Sequence, residues 1–210
     1  MIENTFTEYV DALKRVMETT EVTLEGRGVP LEDGVKHFLS AVKNARQHGR
    51  KIYWMGNGGS AAIAAHEAND FMKNGNCRSQ AFHEAAAITC ISNDFGYQHY
   101  FEQMIMRFAD PGDIAVLISS SGNSENVVRG ALEAKKRGCI VVTLTGFKPD
   151  NKLRPIGDLS FYAPSMEYGY VELAHQVLCH AVLDFLYSQD RAREASAALA
   201  AQAMPIAEKA

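Results

Sequence analysis

Long apolar runs, paired cysteines and an excess of either charge are all missing from this chain, and each absence removes a class of function. No run of about 18 apolar residues occurs, so no membrane span is expected. The opening Met1-Ile2-Glu3-Asn4-Thr5 lacks the basic and apolar regions of a signal peptide. Cys77, Cys90, Cys139 and Cys179 are scattered with no CxxC pair, and read as reduced, mostly buried thiols of a cytoplasmic protein. A net charge of −4 and a pI near 6.0 give no support for a nucleic-acid surface. No dinucleotide fingerprint G-x-G-x-x-G and no Walker loop is present, so no nucleotide cofactor is inferred. Nor does any repeat or low-complexity linker divide the 210 residues, 47% of them hydrophobic and 22% charged. That composition suits a single domain over 1–210, with N-terminal helices at 1–48, an α/β core at 50–188 and a tail at 189–210.

What is present is organised around residues 114–136. Ile114-Ala115-Val116-Leu117-Ile118 is wholly apolar, as a strand buried on both faces of a parallel sheet must be. It stops at Ser119-Ser120-Ser121-Gly122-Asn123-Ser124, after which Val127, Val128, Ala131, Leu132 and Ala134 recur at helical spacing. Hydroxyls thus cluster where a strand ends and a helix begins, at amides without intrahelical partners and at the positive end of a helix dipole. This reads as a phosphate cradle; the alternative is a serine-rich turn in which Ser124 is an ordinary N-cap.

The same grammar recurs along the chain. Residues 2 to about 24 form an amphipathic helix ended by Gly26 and Gly28, and Pro30 starts a second helix closed by Gly49. These two helices are available to pack against a partner subunit. Strands are expected at 52–55, 86–91, 114–118, 140–144 and 159–162, with the 52–55 strand running into Gly56-Asn57-Gly58-Gly59-Ser60 and a helix to about Met72. That glycine turn suits ligand-facing amides, or simply a tight strand-to-helix connection. A long, mostly apolar helix covers 167–187, followed by an Ala-, Arg- and Glu-rich helical tail. Alternation of this kind indicates a doubly wound parallel sheet, whose ligands bind at the carboxyl ends of the strands.

Taken together, G-N-G-G-S at 56–60, N-D-F-G at 93–96, S-S-S-G-N-S at 119–124 and T-L-T-G at 143–146 resemble the sugar isomerase (SIS) domain, and within it the phosphoheptose isomerase branch. The resemblance covers roughly residues 30–188. It implies a three-layer, flavodoxin-like, five-stranded parallel sheet with two extra N-terminal helices. It also implies a homotetramer with interface active sites and conversion of sedoheptulose 7-phosphate to D-glycero-D-manno-heptose 7-phosphate for surface-polysaccharide synthesis. Substrate contacts then fall to Asn57, Gly58, Gly59, Ser60, Asn93, Asp94, Ser119, Ser120, Ser121 and Ser124, with Asp70 and Glu172 beside them. Acid–base catalysis falls to Asp70 and His180, and one Zn2+ to His66, Asp70, Glu172 and His180.

The spacings agree with that ligand set. His66 and Asp70, four apart, lie about 40° apart on one helix face, and Glu172 and His180, eight apart, lie about 80° apart on theirs. As aligned, the branch carries Glu in place of Asp70 and Gln in place of Glu172. The shorter carboxylate withdraws the base, and the added charge favours a cation while raising the pKa of neighbouring groups. Asp70 as a ligand alone, with Glu67 or His175 taking part in proton transfer, is the alternative within the enzyme reading. A competing reading is a non-catalytic SIS scaffold or sugar-phosphate binder of the replication-initiator-associating type. His37, His48, His83 and His99 have no motif context and read as surface or structural, and Trp54 reads as core.

Overall fold

The computed structural model describes residues 5–203. It holds one mixed sheet in the order β2-β1-β7-β6-β5-β3-β4. The five parallel strands are β3 (Lys51–Gly56), β4 (Arg78–Ala81), β5 (Ile114–Ser119), β6 (Ile140–Thr145) and β7 (Leu159–Tyr162). A hairpin of β1 (Glu21–Leu24) and β2 (Arg27–Val29) adds two antiparallel strands beside β7, so the sheet has seven strands rather than five. The hairpin turns through Glu25 and Gly26, both at positive φ as a two-residue primed turn requires. The expected helix stop at Gly26 and Gly28 is therefore a strand reversal.

Among the described residues seven α-helices connect and cover the strands: α1 (Phe6–Glu18), α2 (Leu31–Gln47), α3 (Gly59–Lys73), α4 (Ala85–Phe95), α5 (Tyr100–Phe108), α6 (Glu125–Lys136) and α7 (Tyr168–Ala203). The expected strand at 86–91 is helix α4. A short apolar run does not distinguish strand from helix. Here alanines at 85–87 favour helix, and the Glu84 side chain caps it by accepting from Ala87 N. The edge position beside β3 is taken instead by β4, whose Arg-Ser-Gln-Ala sequence carries no hydrophobic pattern because its residues are at most half-buried. The tail continues α7 as far as Ala203, held at Asp190 by Arg46 of α2; residues 204–210 of that expected tail lie outside the described residues.

Alternation along the central strands splits the core in two. Ile52, Trp54, Ile114, Val116 and Ile118 face α2, α3 and α7. Tyr53, Met55, Ala115 and Leu117 face α5 and α6. Trp54 is wholly buried, with its indole N–H on Ser79 Oγ. After β3 the chain crosses to β4 on one side and then to β5 on the other, so the winding reverses between β3 and β5. At such a switch the connections splay apart and open a crevice at the strands' carboxyl ends. Both glycine- and serine-rich turns leave from there.

Candidate active site

Gly56 at the end of β3 pairs with Ile118 of β5, so the two turns leave the sheet side by side. Between them lies a cleft of about 240 Å³, lined by Asn57, Gly58, Gly59, Ser60, Ser119, Ser120, Ser121, Ser124, Tyr168 and Glu172. The serine turn is fixed by its own close contacts. Gly122 sits at φ +61°, and a methyl group there would lie 2.0 Å from Asn151 Oδ1, so the turn closes over Asn151 only with glycine. Ser119 Oγ accepts from Gly122 N and lies 3.4 Å from Ser124 Oγ. The Ser124 side chain makes no capping bond to α6, which separates it from an ordinary N-cap. Ser120 Oγ is buried with no protein partner. Val127 N and Val128 N donate to the Ser124 carbonyl, but the amides of Glu125 and Asn126, the first two of α6, have no acceptor among the described residues, so the cleft presents donors at a positive helix end, where an anion is favoured.

Glu172 is the exception in charge. Its carboxylate lies against the first residue of α3, such that a methyl on Gly59 would fall 2.4 Å from Glu172 Oε1. It makes no hydrogen bond or ion pair with another described residue. From that contact α3 and α7 run on together, and about two turns later their side chains meet again. His66 Nε2 is 3.2 Å from His180 Nε2 and 3.3 Å from Asp70 Oδ2. The ligand atoms of all three lie within 4.8 Å of one another. Bonds of 2.0–2.1 Å to a tetrahedral zinc place neighbouring ligand atoms about 3.3 Å apart, so these residues fit three corners of such a site. Glu172, about 12 Å back along α7 by helix rise, belongs to the cleft and is not brought into this group.

Behind the three lies Glu67, fully buried. Its Oε1 accepts from the Gln176 amide and stands 3.5 Å from His180 Nε2, while Oε2 has no partner. Burial, reinforced by the charges of Asp70 and Asp184, raises its pKa to about 8. His175 does not join the group. It is buried beside a separate pocket lined by Met17, Val35 and Phe161, with Nε2 3.0 Å from the Thr145 carbonyl, and burial lowers its pKa to about 4.

Asn93 and Asp94 are exposed at the end of α4 and hydrogen-bond to each other rather than facing the cleft. The residue that does reach in from that segment is Tyr97, whose hydroxyl donates to Asn57 Oδ1 at 2.7 Å. Asn126, buried on α6, exchanges two 2.9 Å amide hydrogen bonds with Asn57. Sequence reading passed over both, since Asn126 falls within the helical repeat of α6 and Tyr97 follows the N-D-F-G motif without being part of it. His37 and His48 each pair with a carbonyl of their own helix, and His99 with Glu102. His83 is half-buried, and burial lowers its pKa.

The family model described as the SIS domain matches residues 8–146. In sequence the chain is 32% identical over 186 residues to the phosphoheptose isomerase of Geobacter sulfurreducens, covering 86% of this chain and 94% of that one. It is also 32% identical over 179 residues to that of Geobacter metallireducens, covering 82% and 90%. Among solved structures it is similar to phosphoheptose isomerase GmhA from Neisseria gonorrhoeae, with a TM-score of 0.71 at 26% identity, covering 86% of this chain and 94% of that one. A phosphoheptose isomerase from Francisella tularensis, TM-score 0.73 at 21% identity over 87% and 96% of the two chains, shares the fold.

Proposed function

The chain belongs to the SIS-domain family, in its phosphoheptose isomerase branch, and on that premise we propose that it is a phosphosugar aldose–ketose isomerase whose substrate is sedoheptulose 7-phosphate or a close variant, giving D-glycero-D-manno-heptose 7-phosphate. One observation carries the reading: the α3–α7 pair lines a donor-rich anion cleft at one end and brings two imidazoles and a carboxylate together about two turns further on. An extended sugar phosphate has its phosphate and its reacting carbons separated in the same way.

The phosphate sits at the start of α6, accepting from backbone amides and from the hydroxyls of Ser119, Ser120, Ser121 and Ser124. Glu172, unpartnered on the protein side, accepts from sugar hydroxyls. Asp70 removes the proton from the carbon beside the carbonyl and returns it to the neighbouring carbon. His180 carries the balancing proton between the two oxygens, so the enediol forms and collapses with no net change in atoms. His66, Asp70 and His180 would hold a divalent cation such as zinc, which would supply a positive charge to polarise the sugar oxygens. None of the 11 residues of α4 is buried although most are apolar, which supports an oligomer in which that surface, with Asn93 and Asp94, meets a partner subunit; the homotetramer with shared active sites is what the branch resemblance implies.

The test is turnover of sedoheptulose 7-phosphate by purified protein after zinc is restored, followed by NMR of the product. Absence of turnover on this and related ketose phosphates defeats the enzyme reading and leaves a sugar-phosphate binder. Stoichiometric zinc that is lost in His180→Ala supports the assigned ligands against a metal-free scaffold.

A further inference from the structure

Four groups around the β3–α3 turn form a single directed chain of hydrogen bonds. It starts at a donor whose direction is beyond doubt, the backbone N–H of Val127, which donates to Asn126 Oδ1 at 3.0 Å. That bond fixes which end of the Asn126 amide is oxygen. Asn126 Oδ1 also accepts from Asn57 Nδ2 at 2.9 Å, and Asn126 Nδ2 donates back to Asn57 Oδ1 at 2.9 Å. The orientation of the first amide therefore sets that of the second. Tyr97 OH completes the chain by donating to Asn57 Oδ1 at 2.7 Å.

Counting donors and acceptors gives the consequence. The Asn57 oxygen has two lone pairs, and both are engaged, one by Asn126 and one by Tyr97. One of its two amide protons is engaged by Asn126. A single N–H remains, on a residue that lines the cleft. We propose that Asn126 and Tyr97 are positioning residues that lock Asn57 as a one-proton donor, so that this point of the cleft accepts an oxygen carrying lone pairs, such as a phosphate or carbonyl oxygen, and rejects a hydroxyl that needs an acceptor. The inference rests on the isomerase reading for the identity of the ligand and on the hydrogen-bond chain alone for the direction of Asn57.

The two parts divide the work. Asn126, buried between the turns, ties the start of α3 to the start of α6 and holds both walls of the cleft in register. Tyr97, 48% exposed, reaches in from the segment after α4, with its ring stacked near Tyr100. Its hydroxyl takes up the lone pair that would otherwise be open to a ligand hydroxyl. Because the ring is half in solvent, removing only the hydroxyl leaves the fold intact.

The experiment compares wild type with Tyr97→Phe, using sedoheptulose 7-phosphate as substrate and as calorimetric ligand. Loss of one neutral hydrogen bond predicts Kd and KM raised about threefold to tenfold with kcat changed less than twofold. In 15N-labelled wild type, one proton of the Asn57 side-chain amide pair shifts on ligand addition while its partner stays protected from exchange. In Tyr97→Phe both protons shift or broaden. Asn126→Leu moves Kd in the same direction and further. Unchanged Kd and an unchanged Asn57 amide in Tyr97→Phe overturn the proposal, as does an equal fall in kcat and thermal midpoint, which marks a merely structural role. If no variant turns over substrate but the calorimetric and amide differences persist, the isomerase reading fails and the lock on Asn57 stands.

Discussion

The two ends of the α3–α7 pair are made of different materials. Apart from Tyr168 and Glu172 of α7, the cleft is built from main chain and short side chains: glycines, serine hydroxyls and helix-start amides set by the turns that follow β3 and β5. The cluster two turns away is built from long titratable side chains that meet only because two helices pack, His66 and Asp70 from α3 and His180 from α7, over a buried Glu67. Main-chain donors cannot titrate or rotate, so they suit a constant phosphate group. Imidazoles and carboxylates can do both, as the proton transfers of the proposed isomerisation require. On the proposed function the contrast makes binding and chemistry separable, and four perturbations sharpen or break that separation.

The largest effect is expected at the cluster. His180→Ala should lower kcat on the ketose phosphate about 100-fold to 10,000-fold while leaving the Kd for inorganic phosphate within about twofold, by calorimetry. A parallel loss of phosphate affinity would show that the two ends act as one.

The cleft should fail differently, through conformation. Gly122→Ala forces a methyl onto Asn151 Oδ1 at a positive φ, and should cost about 1–3 kcal/mol of stability, read from the urea midpoint. An unchanged midpoint would mean that the serine turn is not held by this contact.

Comparable in size are opposite pH dependences of two buried groups. His175, outside the cluster, has its pKa lowered from 6.5 to about 4. The unfolded chain therefore binds the proton more readily, and the contribution is present above pH 6.5 and lost as pH falls toward 4. Each unit of that fall costs at most about 1.4 kcal/mol, and His175→Gln should flatten it. Glu67 behind the cluster has its pKa raised from 4.5 to about 8, so its contribution is present below pH 4.5 and lost as pH rises through 8. In chelator-treated protein, Glu67→Gln should abolish the loss on the alkaline side only. Chemical denaturation across pH checks both signs, and a shared direction contradicts the contrast.

The smallest effect is expected for Ser124→Ala. An N-cap serine contributes typically about 1 kcal/mol, but this side chain makes no capping bond, so stability should change by less than about 0.5 kcal/mol while phosphate affinity falls. A loss of a full kcal/mol would restore the ordinary N-cap reading.

Most of the cleft was legible because its parts are local. A strand's apolar run, the turn that ends it and the helix after it are adjacent in sequence, and both turns line the cleft. Misreadings arose where locality ends. Residues 86–91 carry the hydrophobicity of a buried strand yet form α4, none of whose residues is buried in this chain, and β4 is an edge strand with no apolar signal at all. Glu172 has helical phase with His180, but eight residues of rise carry it to Gly59 and the cleft. The pairing of Asn57 with Asn126 spans 69 residues and could not be read from either motif.

By itself, the sequence determined the strand–turn–helix units, the hydroxyl and glycine content of the turns, and the four-residue step that puts His66 and Asp70 on one helix face. Those follow from steric and hydrogen-bonding rules that act over a few residues. Only the tertiary structure decided that α7 lies along α3 with His180 against His66, that Glu67 is sealed behind them, and that Asn57 is turned by Asn126 and Tyr97. Such contacts depend on how helices settle on a sheet, where burial and packing are summed over the whole core and no short segment carries the answer.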